Sequence, residues 1–190
     1  MPQQPSSRQI AILKALSSML EEPAAGRITT AALAKRMNQS EAALYRHYSG
    51  KEAMFQALIA LTRAQILEDL HDIATTEKLA TTRLRKQVHA LLFFVERHPG
   101  TARLLTGSAL VGEAPSLLHQ VNDVLDAIAG ALEQSTRLAG RASPETDDSR
   151  SLLTDMLMNW VQGRWLRFVQ SGWQDKPTDK FADRLKLLGL

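Results

Sequence analysis

Cysteine is absent from the 190 residues, which excludes a disulfide framework, a thiolate nucleophile and a cysteine-ligated zinc site. Aromatic residues make up only 5%, and no stretch approaches the roughly 18 uninterrupted apolar residues a membrane-spanning helix needs. No membrane partner is therefore expected. The opening MPQQPSSRQI has no apolar run of the signal-peptide kind, so a cytoplasmic address is the expectation. Catalytic groupings are missing too. The histidines at 47, 71, 89, 98 and 119 show no H-x-x-x-H or H-E-x-x-H spacing, no glycine-rich phosphate loop follows a strand pattern, and no serine sits in a nucleophile elbow. His71-Asp72 reads as an exposed helical dipeptide, His89 as helix surface or a satisfied, partly buried side chain, and His98, directly before Pro99, as a helix end. The expectation is a protein that is not an enzyme, with no cofactor and no metal.

What is present is helix-forming. Apolar residues make up 44%, Ala, Leu, Arg, Gln and Glu dominate, and Val and Ile rarely alternate with polar residues. The chain should be all-α, as one domain or a small one joined to a larger one. The net charge of +3 is unevenly placed: residues 1–51 hold seven Lys/Arg against three Asp/Glu, leaving sixteen against seventeen for residues 52–190. A head of +4 on a body of −1 suits a polyanion-binding module carried by something else, because phosphate contacts supply most non-specific nucleic-acid affinity. Ordinary scatter of charge would give the same difference, so charge alone decides little.

The spacing predicts a helix over 7–20, capped by Ser7, with Ile10, Leu13, Leu16 and Leu20 on one stripe, and a stop at Glu21–Gly26. Thr29 as N-cap puts Ile28 and Leu33 in the positions of a hydrophobic staple, and a short helix runs to about 37. Asn38-Gln39 makes a turn, and Ser40 caps a second short helix over 41–47. Ser49-Gly50-Lys51-Glu52 fits a capping box that opens a long helix to about 74. Beyond it, amphipathic spans fall at about 80–97, 99–106, 115–138, 150–171 and 178–188, with breaks at Pro99, Pro115, Pro144 and Pro177 and a polar loop at Gly140–Asp148.

Two short helices joined by a tight turn, with a longer helix before and a capped one after, form the pattern of a helix-turn-helix. At 100° per residue, Leu44 and Tyr48 point toward a small core with Leu33 and Met37, while Ala42, Ala43 and Arg46 face outward. The alanine methyls permit close approach to a DNA groove, and the guanidinium can bridge O6 and N7 of a guanine. Tyr45 and His47 on the flanks, and Lys51 at the positive end of the next helix, can meet phosphates. An ordinary helical hairpin with a solvated Arg46 would satisfy the same spacing.

Ile28-Thr29-Thr30-Ala31-Ala32-Leu33-Ala34, then Ser40-Glu41-Ala42-Ala43-Leu44-Tyr45-Arg46-His47-Tyr48 and Lys51, resemble the TetR family of dimeric regulators. The resemblance implies a TetR-like fold: an N-terminal three-helix helix-turn-helix domain over 1–51 and a C-terminal helical dimerisation and regulatory domain over 52–190. It also implies double-stranded DNA with a palindromic site as partner, with Thr29, Thr30, Ser40, Tyr45, His47 and Lys51 on the backbone and residues of the short second helix on base edges. Met37-Asn38 stands where most members place glycine in the turn, a conformation asparagine tolerates.

In the body, Glu96-Arg97-His98-Pro99-Gly100, Leu104–Leu110, Arg164–Val169 and Pro177-Thr178-Asp179 with Phe181 look like the nucleoid occlusion factors of that family. That likeness implies nucleoid-associated dimers, one or several to a site, that bind the C-terminal tail of the division protein FtsZ. The tail would lie in a groove between the helix that starts at Lys51 and the helix over 80–97, with Leu61, Arg97 and His98 at positions the group uses and Arg83 a basic neighbour. Asp69 and Phe93 depart from the arginine and glycine expected there. Independently, Arg83, Arg85, Lys86 and Arg97 on one helix suit an acidic, partly apolar tail, or are a solvated face. Leu153, Leu157, Val161 and Phe168, with Trp160 and Trp165 nearby, would be core in a monomer; in a TetR-like dimer they would form half of an intersubunit four-helix bundle. Two other readings stay open: a repressor released from its operator by a small apolar effector held in the body, and a plain architectural DNA-binding dimer.

Overall fold

The computed structural model describes residues 5–22, 26–138, 148–187 and 190. Among them the chain is all-helical: α1 (Ser7–Leu20), α2 (Thr30–Arg36), α3 (Glu41–Tyr45), α4 (Lys51–Thr76), α5 (Ala80–Arg97), α6 (Pro99–Leu105), α7 (Pro115–Leu138), α8 (Asp148–Gln170) and α9 (Phe181–Leu187), with a 3-10 turn at Ser108–Leu110. Most expected spans hold to within two residues. The exception is α9, which begins at Phe181 rather than 178, after Lys180 takes a φ of 51°. The helix stop at Pro23–Ala25, Pro144 with most of the Gly140–Asp148 loop, and the helix end at Leu188 lie outside the described residues.

Local hydrogen bonds set the first three helix starts. Ser6, rather than Ser7, caps α1, and the cap is reciprocal: Ser6 Oγ accepts from the Gln9 amide at 3.3 Å while the Gln9 side chain accepts from the Ser6 amide at 2.9 Å. Thr29 Oγ1 accepts from Ala32 N–H at 3.1 Å to start α2, and Ser40 Oγ from Ala43 N–H at 3.2 Å to start α3. At α4 the capping box expected from Ser49 and Glu52 does not form. Gly50 takes the N-cap position without a side-chain bond, and the Glu52 carboxylate instead accepts from Ser116 Oγ on α7 at 2.6 Å. A tertiary partner has displaced the local one.

The small core predicted for the head is present: Leu33 and Leu44 are buried, Tyr48 nearly so, and Met37 packs against them. From there α4 carries the chain into the body, where it lies against α5 and α7, while α8 packs on α5, α6 and α7. α6 backs onto α1, and Gly100 makes this possible, since a Cβ there would lie 2.6 Å from the Ser17 carbonyl oxygen. The end of α1 is also tied to the body by Arg103, which donates to the Leu20 and Glu22 carbonyls at 3.3 Å each, and by Trp173 Nε1, which donates to Glu21 at 2.9 Å. Head and body are thus braced at α1 as well as at α4. In the middle of the body Trp165 is fully buried, its Nε1 donating to the Leu91 carbonyl at 3.2 Å, so its one polar atom is satisfied.

Candidate nucleic-acid interface and partner groove

The turn between α2 and α3 is closed by backbone alone. Asn38 adopts φ 52°, its N–H donates to Lys35 at 3.1 Å, and Gln39 N–H reaches back to Ala34 at 2.9 Å. This is the paired bonding of a Schellman end, with asparagine in the left-handed position usually given to glycine. On α3, Ala42 and Arg46 are exposed, but Ala43 is half-buried and offers less of its methyl than the helical wheel implies. Tyr45 is 48% exposed, and its hydroxyl lies 3.4 Å from Thr30 Oγ1, which in turn donates to Glu41 Oε2 at 2.5 Å. Thr29 and Ser40 spend lone pairs on their caps, yet each hydroxyl retains a proton for a phosphate oxygen. His47 is half-buried, its carbonyl accepting from Gln9 Nε2 at 3.3 Å. Lys51 is held rather than presented: its Nζ donates to the Ile28 carbonyl at 3.0 Å and pairs with Glu113 at 2.6 Å.

Between α4 and α5 lies a groove of about 250 Å³. Gln65, Glu68 and Asp69 line one wall and Ala90, Phe93, Phe94, Arg97 and His98 the other. Arg97 stands over the Phe93 ring at 5.8 Å, and the His98 ring lies 5.1 Å from Phe94. Arg97 and His98 are thus brought together with both departures, Asp69 and Phe93. Leu61, half-buried on α4, does not line the groove, and neither does Arg83. Arg83 instead donates twice to the Glu77 carbonyl, at 3.0 and 2.8 Å, and Lys86 pairs with the Glu77 carboxylate at 2.7 Å. The basic collection on α5 is therefore divided, because Arg83 and Arg97 are fourteen residues, or about 21 Å of helix, apart.

The assignment on α8 needs correction. Leu157, Val161, Trp165 and Phe168 are between 0 and 2% exposed within their own chain, and Leu153 packs against the same core. Side chains with no surface left cannot form an intersubunit seam, so Leu157, Val161, Trp165 and Phe168 are the protomer's own core, while Leu153 keeps part of its surface. The opposite face carries Leu152 at 61%, Met156 at 58% and Leu166 at 43% exposure, with exposed Asn159 and Gly163 between them. Their steps of four, three, four and three residues are those of a coiled-coil seam.

Comparison with known proteins places these features. Residues 12–58 match the family described as bacterial regulatory proteins, tetR family, and residues 78–189 match the SlmA-like, tetracyclin repressor-like C-terminal domain. The nucleoid occlusion factor SlmA of Idiomarina loihiensis is 34% identical over 189 residues, covering 99% of this chain and 96% of that one. SlmA of Aliivibrio fischeri is 38% identical over 192 residues, covering 98% and 96%. The chain belongs to the TetR family, among the SlmA-like proteins. Its fold also matches the transcriptional regulator FadR from Bacillus subtilis in complex with stearoyl-CoA, with a TM-score of 0.79 at 15% identity over 96% of this chain and 97% of that one.

In this TetR-family chain one residue at the junction of head and body escaped sequence reasoning. Glu113, in the loop before α7, is 6% exposed at its side chain and bonds both Lys51 and, at 3.0 Å, Arg27. Its sequence separation from Lys51 is 62 residues. No spacing rule links such a pair; the one available signal was a lone acid between Gly112 and Pro115 in an otherwise apolar stretch.

Proposed function

We propose that this chain is a nucleoid occlusion factor, a homodimer that binds palindromic chromosomal DNA and, so bound, takes the C-terminal tail of FtsZ and blocks division-ring assembly over the nucleoid. Residues 1–51 serve as the DNA-binding head and residues 52–190 as the body for dimerisation and partner binding. The observation that carries this reading is that similarity to the nucleoid occlusion factors runs through the body as well as the head, and the body is where a partner other than DNA is chosen. Arg46 reads a base edge, with Thr29, Thr30, Ser40, Tyr45 and His47 on phosphates. The exposed seam of α8 at Leu152, Met156 and Leu166 pairs with its copy, setting the two recognition helices roughly 34 Å apart, one turn of DNA. The tail occupies the α4–α5 groove, its acidic residues toward Arg97 and its apolar ones on Phe93 and Phe94.

The test is fluorescence anisotropy of a labelled FtsZ-tail peptide with the full-length protein, with and without chromosomal DNA recovered by immunoprecipitation of the protein. Tail binding should weaken with salt, since exposed pairs are screened over about 8–10 Å. Arg97→Asp should weaken it about tenfold or more and leave DNA affinity within about twofold. No tail binding by DNA-bound wild-type protein at low salt ends the division-inhibitor reading and makes the effector-regulated repressor the leading account.

A further inference from the structure

We propose that Glu113 is a positioning residue for DNA binding: the body uses it to hold Lys51 and Arg27, two of the head's seven cations, and Lys51 must be shared between Glu113 and a phosphate when DNA binds. The inference rests on the DNA-binding reading above and adds the body's part in it. Three observations lead to it. First, the Glu113 carboxylate is 6% exposed and sits between two cations, Lys51 Nζ at 2.6 Å and the Arg27 guanidinium at 3.0 Å. The Arg27 hold is doubled by a bond to the Gly112 carbonyl at 2.9 Å. Second, the loop carrying the acid is itself fixed. Gly112 takes φ 75°, Glu113 N–H donates to Leu110 at 3.0 Å, and α7 starts two residues later. The carboxylate is therefore carried by the turn that leads into α7, not by the head.

Third, both cations lie at the helix starts that a DNA backbone would approach. Arg27 precedes the Thr29 cap of α2, and Lys51 is the first residue of α4, donating also to the Ile28 carbonyl at 3.0 Å. A phosphate arriving there meets an amine already neutralised and a carboxylate of its own sign. Lys51 has three donors, two of them on Ile28 and Glu113; the third can meet a phosphate, but the ammonium is then shared between two anions that repel each other, which weakens its charge-assisted bond to Glu113. The acid thus lowers affinity for any duplex, and the bond weakened is one between body and head. The contact ties the strength of DNA binding to the placement of the loop before α7.

The experiment measures binding of a labelled random-sequence duplex of about 30 base pairs to full-length wild type, Glu113→Gln, Lys51→Ala and the double variant across a salt series, each checked as folded by its thermal transition. Glu52→Gln is the control, since it makes the same charge change at the same junction, where Glu52 holds the Ser116 hydroxyl and the Gln56 amide and, among the described residues, no cation. Glu113→Gln should tighten binding about threefold to tenfold, the scale of one charge-assisted bond released. The gain should shrink by more than half, in logarithmic terms, in the Lys51→Ala background, and Glu52→Gln should give less than about half of it. Lys51→Ala should lower the salt slope by about one. Equal gains in both Lys51 backgrounds would mean that Glu113 acts only through net charge, and weaker binding by Glu113→Gln would mean a structural brace; either result overturns the proposal. Failure of wild-type protein to bind any duplex at low salt would instead sink the DNA-binding reading on which it rests.

Discussion

The head and the body draw on the same helix-forming residues but are specified in different ways. In the head, the starts of α1, α2 and α3 are each fixed by a side chain bonding a backbone amide three residues on, from Ser6, Thr29 and Ser40. In the body, α4, α5 and α6 begin at Gly50, Leu79 and His98 with no side-chain cap bond. Their placement comes from bonds such as Trp165 to Leu91 and Glu52 to Ser116, between residues 74 and 64 positions apart. Short-range chemistry makes a unit whose geometry survives changes in what it is attached to. Long-range packing makes a unit whose surfaces can be reassigned between core, dimer seam and partner groove.

The largest expected effect tests the body at α8, where the two faces should behave oppositely. Leu157→Glu places an unpaired charge where the side chain is 1% exposed, at a cost of several kcal/mol. Thermal denaturation should show loss of the folded body. Met156→Glu, one residue along but 58% exposed, should leave the helical signal intact and convert dimer to monomer by sedimentation, with weakened DNA binding. A folded monomer from Leu157→Glu, or an intact dimer from Met156→Glu, would reverse the two faces.

These two residues also show where legibility in the sequence stops. Leu153, Leu157, Val161 and Phe168 follow helical spacing, and so do Leu152, Met156, Asn159, Gly163 and Leu166. Periodicity announces that a stripe is buried, but with two apolar stripes it cannot say which meets its own chain. The head has no such ambiguity. The turn at Asn38, the Thr29 and Ser40 caps and the exposure of Arg46 all follow from interactions within a few residues. The capping box at Ser49 and Glu52 failed for the reason that hides Glu113: a partner from α7, or from the loop before it, is invisible to any window of neighbouring residues. On α5, rise per residue alone separates Arg83 from Arg97, so that split was readable.

A middle-sized effect tests the head. Arg46, exposed on α3, should account for about 1–3 kcal/mol of binding to the cognate site if its guanidinium bridges a guanine edge. Arg46→Ala should then relax preference at one base pair per half-site in a selection from random duplexes, without changing thermal stability. Equal loss on specific and random DNA would make Arg46 a phosphate contact and leave base reading to the methyl of Ala42.

The smallest expected effect falls at a body junction built in the manner of the head. Glu77 closes the connection from α4 to α5 by accepting from the Leu79 amide at 3.2 Å and from Lys86 Nζ at 2.7 Å, while its carbonyl takes the Arg83 guanidinium. The Lys86 hydrogen bond, helped by that of the Leu79 amide, holds the Glu77 carboxyl below the ordinary carboxylate range. A carboxyl lowered in the folded state contributes stability at pH values above its unfolded titration, and that contribution disappears as pH falls through the lower, folded value. Glu77 should therefore titrate by NMR below the ordinary glutamate range. Lys86→Ala should move that midpoint upward and flatten the acid limb of the stability profile, leaving dimer mass and DNA affinity unchanged. If Lys86→Ala leaves the Glu77 midpoint in place, the junction is set by packing of α4 on α5 rather than by its own short-range bonds, and the head alone is locally specified.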